Sequence, residues 1–121
     1  MNIAVWTVSG LLAAMYLSAG LMKTLRPKPA LRAILPWVED SSPRTVKLIG
    51  TFELLGALGL VLPWLTGITP VLTPIAATGL ATIQALAIRV HIRRGEQSVL
   101  PFNAALLLTA AFVAAVRFAS L

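Results

Sequence analysis

The sequence predicts an all-α membrane protein, a four-transmembrane-helix bundle with a short interfacial segment between its first two helices. Of its 121 residues, 58% are hydrophobic and 12% are charged, against about 25% charged in an ordinary soluble domain. A soluble fold of this composition would leave a large apolar surface in water, which the hydrophobic effect opposes. Four apolar segments, each near the ~20 residues that cross a bilayer core, cover most of the chain. We therefore interpret residues 1–121 as one transmembrane domain.

The four predicted helices follow from local patterns. The first, at about residues 2–22, contains no Lys or Arg, so it lacks the basic region of a secretory signal and is interpreted as a retained helix. The second, at about residues 43–65, follows Ser42, and serine before proline is typical of a helix N-cap with a first-turn proline. The remaining apolar segments predict helices at about residues 71–94 and 99–121.

The connection between the first two helices contains four prolines, which divide it into short pieces. Within it, residues 30–38 alternate apolar side chains with Arg32. This alternation predicts a short amphipathic helix lying in the membrane interface.

Small residues spaced by four predict where the helices contact one another, because they let backbones approach closely in lipid. These residues are Gly10, Ala14 and Ser18; Ala77, Ala81 and Ala85; and Ala111, Ala115 and Ala119. We interpret them as contacts inside the bundle, with a homo-oligomer interface left open.

The distribution of basic residues predicts the orientation in the membrane. Six Lys or Arg residues lie in the first connection and three in the third, whereas the second connection and the N-terminus have none. Positive residues mark the cytoplasmic side. We therefore expect an integral protein of a bacterial plasma membrane, with both termini outside and loops 1 and 3 cytoplasmic.

Composition also excludes several kinds of function. The net charge of +6 would suggest nucleic-acid binding in a soluble protein, but the basic residues here form short clusters between apolar helices, so no nucleic-acid partner is expected. The absence of cysteine excludes disulfides and thiolate metal sites. With a single histidine, no histidine metal site or self-sufficient catalytic motif is apparent, and no covalently bound cofactor is expected.

Glu53 is the main candidate for a functional site. It lies five residues inside an apolar segment, where a lone carboxylate is costly unless it has a partner, a proton or water. Gly50 and Gly56, three residues away on either side, clear space around it. A fixed hydrogen bond to a neighbouring helix and a ligand site are both compatible with this pattern.

Other polar residues are predicted at similar depth on the same side of the membrane. Tyr16 and Gln84 lie near the level of Glu53, and Lys23 and His91 share helical faces with them toward the cytoplasm. Asn103 enters near the same mouth from the fourth helix. We predict that these six side chains bind a ligand or handle protons, with Glu53 paired to Lys23 or His91. Arg117, near the opposite side, is expected to snorkel outward or pair with a C-terminal carboxylate.

Four sequence runs resemble the DoxX-like family of small four-helix membrane proteins. They are "SAGLMKTLRP", "KLIGTFELLGALGLVLP", "ALAIRVHIRRGE" and "AAVRF". The matching positions are Lys23, Gly50, Glu53, Pro63, His91 and Arg117. The resemblance implies a four-helix membrane bundle. The wider family includes a subunit of a thiosulfate:quinone oxidoreductase, components linked to oxidative-stress complexes, and membrane proteins that assist receptor assembly or cargo export.

Three functions therefore stay open. The first is a binding subunit or accessory of a membrane redox complex, which holds a quinone or lipid and works with a membrane or cytoplasmic redox partner protein. The second is a scaffold or assembly factor in which the polar cluster only locks the bundle. The third is a proton-coupled transporter, which the lack of broken inverted repeats disfavours. In each case Gly50, Gly56, Pro63 and Arg117 are expected to be structural or membrane-anchoring.

Overall fold

The computed structural model describes residues 2–121, which form five α-helices, two 3-10 turns and no strand. The helices are α1 (Asn2–Leu25), α2 (Lys28–Ile34), α3 (Pro43–Thr66), α4 (Leu72–Arg94) and α5 (Leu100–Ala119), and the 3-10 turns are Pro36–Asp40 and Gln97–Val99. Among the described residues, α1, α3, α4 and α5 are long and apolar enough to cross a membrane. The predicted all-α fold with four transmembrane helices is confirmed.

The helix ends follow the capping chemistry of the sequence. The Ser42 side chain accepts a hydrogen bond from the Thr45 backbone N–H at 3.1 Å, as expected for the N-cap of α3. Gly67 and Gly95 follow α3 and α4 with φ of 73° and 71°. A left-handed residue at this position favours glycine, which has no Cβ to clash.

α1 continues to Leu25, three residues beyond its predicted end. The added turn has partners on α3: the Lys47 ammonium donates to the Thr24 carbonyl at 3.0 Å. Pro27 follows closely, and a proline disfavours helical backbone in the residue before it. The apolar stretch alone therefore gave too short a helix, because polar contacts at the membrane surface extend it.

The connection between α1 and α3 folds back on the bundle in two pieces instead of the one short helix predicted over residues 30–38. α2 ends before Pro36, since proline has no N–H to continue a helix and holds Leu35 outside the helical region, at ψ of 86°. Leu31 and Val38 of this segment are buried with Val46 of α3 in a small apolar cluster. We call residues 26–42 the connector.

The four long helices alternate in direction. α1 packs on α3, α3 on α4 and α4 on α5, and a less extensive contact between α1 and α5 closes the bundle. One end holds the connector and Gly95; we call it the connector end. The opposite end holds the short turn at Gly67; we call it the Gly67 end.

The backbones of α1 and α3 approach each other closely at two glycines. A Cβ built on Gly20 would lie 2.7 Å from the Gly50 carbonyl oxygen, and one on Gly50 would lie 3.0 Å from the Gly20 carbonyl oxygen. Similarly, a Cβ on Gly56 would meet the Leu80 side chain of α4 at 2.6 Å. These glycines therefore set the spacing of α3 from both neighbours.

The predicted small-residue contacts are wrong for α1 and α5. Their stripes face outward in the structure: Gly10, Ala14, Ser18, Ala111, Ala115 and Ala119 are exposed. On α4, Ala77 is buried but Ala85 is exposed. The buried face of α1 instead follows its larger side chains, including Leu12 and Tyr16, and ends at Gly20. Four-residue spacing identifies a smooth helix face, but it does not say whether protein or lipid covers that face.

Pro63 lies inside α3, where its missing N–H leaves the Gly59 carbonyl without its helical partner. The hydroxyl of Thr73, on α4, donates to this carbonyl at 2.7 Å. Thr73 is completely buried. A side chain from the next helix thus replaces the lost backbone hydrogen bond, which allows a proline within a membrane-spanning helix.

Candidate functional site

Glu53 forms an ion pair with Lys23 in the connector half of the bundle. The Lys23 ammonium donates to Glu53 Oε1 at 2.6 Å, and 12% of the lysine side chain and 3% of the glutamate side chain are exposed. The partners come from α1 and α3, directly beside the glycine contact that holds these helices together. Of the two predicted partners for Glu53, the structure brings Lys23 to it and directs His91 elsewhere.

The connector covers this ion pair from one side. Lys23 Nζ lies 5.6 Å from the centroid of the Trp37 ring, within the range of a cation–π interaction. Because Trp37 belongs to the 3-10 turn of the connector, this interaction with the Lys23 ammonium helps to hold the connector against the bundle. Nothing in the spacing of the sequence predicts this contact, because Trp37 and Lys23 lie on separate elements.

Three polar side chains at a similar level form a hydrogen-bonded chain across the bundle. Asn103 Nδ2 donates to Gln84 Oε1 at 2.8 Å, and Gln84 Nε2 donates to the Tyr16 hydroxyl oxygen, also at 2.8 Å. All three residues are buried. The chain links α5, α4 and α1, so each of its members satisfies part of the hydrogen-bonding capacity of the next.

His91 lies at the mouth of this region, hydrogen-bonded through Nδ1 to Glu96 Oε1 at 3.0 Å. Arg94 contacts the same carboxylate at 3.1 Å and also forms an ion pair with Asp40 of the connector. The His91 hydrogen bond, together with the charge of Arg94, holds the pKa of Glu96 below its usual value. The turn between α4 and α5 is thereby linked to the connector.

A cavity of about 640 Å³ lies between the ion pair and the hydrogen-bonded chain. Its polar lining includes all six predicted site residues: Tyr16, Lys23, Glu53, Gln84, His91 and Asn103. The remaining wall is mostly apolar and comes from the four long helices and the connector, with Trp37 near the mouth. A volume of this size lies within the range of small-molecule sites.

The cavity coexists with closely packed glycines. The polar residues hydrogen-bond to one another, and the cavity is nevertheless present beside them. The reason is positional: Gly20 and Gly50 close the contact between α1 and α3, whereas the space lies toward α4 and α5. The contact between α1 and α3 is closed at these glycines and offers no route for a ligand tail there.

The two most exposed large hydrophobic residues of the lining indicate one place where the cavity approaches lipid. Leu86 of α4 and Phe102 of α5 both line it, and they are 56% and 61% exposed. The wall therefore reaches the outer surface of the bundle on its α4 and α5 side. An apolar chain held in the cavity has a route to the bilayer there.

Arg117 differs from its expected position. It neither snorkels outward nor pairs with a C-terminal carboxylate within the described residues, because the side chain is 2% exposed and stacks between two tryptophan rings. The sequence alone shows that two tryptophans and one arginine lie toward the Gly67 end. Nothing in the spacing places Trp6, Trp64 and Arg117 in one stack, since they come from three different helices.

A comparison with protein-family models finds one match, described as the DoxX-like family, over residues 7–113. The match contains all six predicted site residues that line the cavity and ends before Arg117. No curated protein and no solved structure matches the chain.

Proposed function

The chain belongs to the DoxX-like family, and from that membership and the polar cavity between its transmembrane helices we propose that it is a membrane-embedded binding protein for a small amphiphile. In this proposal the ligand is a quinone or a lipid with a carbonyl-bearing or hydroxylated head. The protein would serve as a binding subunit or accessory of a membrane redox complex, supplying ligand to a redox partner protein.

The observation that carries this proposal is the division of the cavity into polar and apolar parts. The Lys23–Glu53 ion pair lies on one side of it and the Asn103–Gln84–Tyr16 chain on another, while apolar side chains of α4 and α5 lead toward lipid. An amphiphile needs this combination, because its head requires hydrogen-bond partners and its tail requires an apolar path.

The polar residues have complementary chemical roles in the proposed complex. The Lys23 ammonium and the Gln84 amide are hydrogen-bond donors suited to a carbonyl or hydroxyl oxygen, while Glu53 and the Asn103 amide oxygen can accept from a hydroxyl. In this proposal Glu53 and His91, which both line the cavity, exchange protons with the head of the ligand. These roles make the cavity suitable for a ligand whose head exchanges protons.

Native mass spectrometry from mild detergent tests the binding proposal. We expect the wild type to retain an amphiphile and Gln84→Leu to bind it about tenfold more weakly, because the change removes the central member of the hydrogen-bonded chain. Gln97→Leu is the matched control, since Gln97 is exposed in the turn before α5 and should retain the ligand. A wild type without ligand, or equal retention by both variants, would contradict the proposal.

A scaffold or assembly role is the second candidate, favoured by the fact that the polar side chains already hydrogen-bond to one another. A stable protein partner that co-purifies equally with the wild type and with Glu53→Gln, in the absence of any small molecule, would support it. The same spectra report the mass of the assembly, and so also test whether the chain forms a homo-oligomer.

The proposed orientation has its own test. Since Lys and Arg are abundant in the connector and beside Gly95 but absent from the turn at Gly67, both termini and that turn are expected outside the plasma membrane. The chain has no cysteine, so Thr66→Cys introduces one thiol at that turn. It should react with a membrane-impermeant maleimide in intact cells, and Ser41→Cys in the connector should not. The reverse labelling pattern would invert the topology.

A further inference from the structure

Arg117 occupies a second enclosed polar site at the Gly67 end, on the side of the bundle opposite the connector. Its guanidinium carbon lies 4.7 Å from the centroid of the Trp6 ring and 4.4 Å from that of Trp64. The two rings come from α1 and α3, and Arg117 comes from α5. A guanidinium stacked on aromatic faces retains its N–H donors in its own plane, where the rings cannot accept them.

No hydrogen bond of the Arg117 side chain is found among residues 2–121, and its buried donors lie along one edge of the guanidinium. Nε and Nη2 are both buried and have no hydrogen-bond partner among residues 2–121. These two nitrogens point their N–H bonds in parallel along the edge that binds carboxylate or phosphate oxygens in pairs. The Ser9 hydroxyl, one turn beyond Trp6 on α1, is also buried without a partner.

No carboxylate side chain is placed to neutralise Arg117. Glu39 and Asp40 lie in the connector, Glu96 lies in the turn beside Gly95, and Glu53 precedes Trp64 on α3 by eleven residues, about 16 Å at the helical rise. Within the described residues Arg117 therefore makes no ion pair. An enclosed cation without a counter-charge is costly in a membrane protein, so a partner from outside the chain is favoured.

We propose that Arg117 binds an oxyanion through its Nε and Nη2 edge, with Trp6 and Trp64 as the two walls of the site. The ligand class is a phosphate-type group, which accepts two parallel N–H bonds and supplies the missing negative charge. It comes either from the headgroup of an anionic phospholipid or from free phosphate. The site is separate from the cavity and does not depend on the ligand bound there.

The flanking tryptophans report occupancy directly. In a Trp37→Phe background the remaining tryptophans are Trp6 and Trp64, so their emission reports the Gly67 end alone. We expect a saturable change in emission when detergent-solubilised protein is titrated with inorganic phosphate, or when it is reconstituted in phosphatidylcholine vesicles that contain phosphatidylglycerol. Chloride at equal ionic strength and pure phosphatidylcholine vesicles are the controls and should give no saturable change.

The two titrations, one with inorganic phosphate and one with phosphatidylglycerol vesicles, identify the source of the anion. Saturation by phosphate alone assigns the site to a free oxyanion, whereas a response restricted to phosphatidylglycerol assigns it to a lipid headgroup. Arg117→Lys in the same background keeps the positive charge but loses the paired donors, so half-saturation should rise about tenfold. No response in either arm, or unchanged half-saturation in the lysine variant, would overturn the site. Because the comparison with chloride uses the unaltered arginine, the test holds even if the lysine variant does not fold.

Discussion

Glu53→Ala is expected to lower the free energy of unfolding by about 3 to 5 kcal/mol, the loss typical of a buried ion pair from which one partner is removed. The loss has two sources. The 2.6 Å contact with Lys23 disappears, and the lysine ammonium, 12% exposed, stays in the bundle without a counter-charge. Thermal unfolding in mild detergent, followed by tryptophan fluorescence, measures the effect as a lowered Tm.

Glu39→Ala is the matched control for this substitution. Glu39 is exposed in the connector, where removal of a surface carboxylate should change stability by less than about 0.5 kcal/mol. The double variant Lys23→Met/Glu53→Leu removes both charges, so we expect it to recover much of the loss seen in Glu53→Ala. Equal Tm values for Glu53→Ala and Glu39→Ala would show that the ion pair contributes nothing to the fold.

Gly20→Ala is expected to destabilise the bundle by an amount at the upper end of the ~1 to 3 kcal/mol typical of overpacking. The added methyl would lie 2.7 Å from the Gly50 carbonyl oxygen, and a backbone atom cannot move aside as a flexible side chain can. α1 and α3 would have to separate. That separation would also draw Lys23 away from Glu53, so Gly20→Ala should weaken ligand retention together with stability.

Gly10→Ala provides the control on the same helix, because a Cβ at Gly10 meets no atom within 4 Å. Alanine has a higher helix propensity than glycine, so this variant should be neutral or slightly stabilising. A Tm of Gly20→Ala equal to that of Gly10→Ala would contradict the close approach of the two helices.

The sequence predicts the number of long helices because their length and apolarity are imposed by the thickness of the bilayer. It also predicts that Glu53 needs a partner, since the cost of a buried carboxylate does not depend on which helix neighbours it. The choice between Lys23 and His91 depends on helix rotation. His91 is directed to Glu96, five residues later and beyond the end of α4, and no periodicity within the helix reveals this contact.

Features that join several helices are those that the sequence could not predict. The outward direction of Gly10 and Ala14 depends on where the bulky residues of α1 find space, which is a property of the whole bundle. The enclosure of Arg117 requires two tryptophans from two other helices. Depth in the membrane follows from counting residues, whereas rotation about the helix axis follows only from packing.

The Thr73 hydroxyl donates a hydrogen bond to the Gly59 carbonyl. Because of this bond, the effect of a substitution at position 73 depends on which residue occupies position 63. Loss of the hydroxyl while Pro63 is present leaves an unsatisfied carbonyl between two membrane helices. With alanine at position 63, the backbone N–H restores the helical bond and a hydroxyl is no longer needed at position 73. The protein is therefore expected to tolerate the two substitutions if Pro63 is replaced first and Thr73 second. A library of single substitutions would keep Pro63 whenever Thr73 is changed, and would wrongly rate Thr73 as irreplaceable.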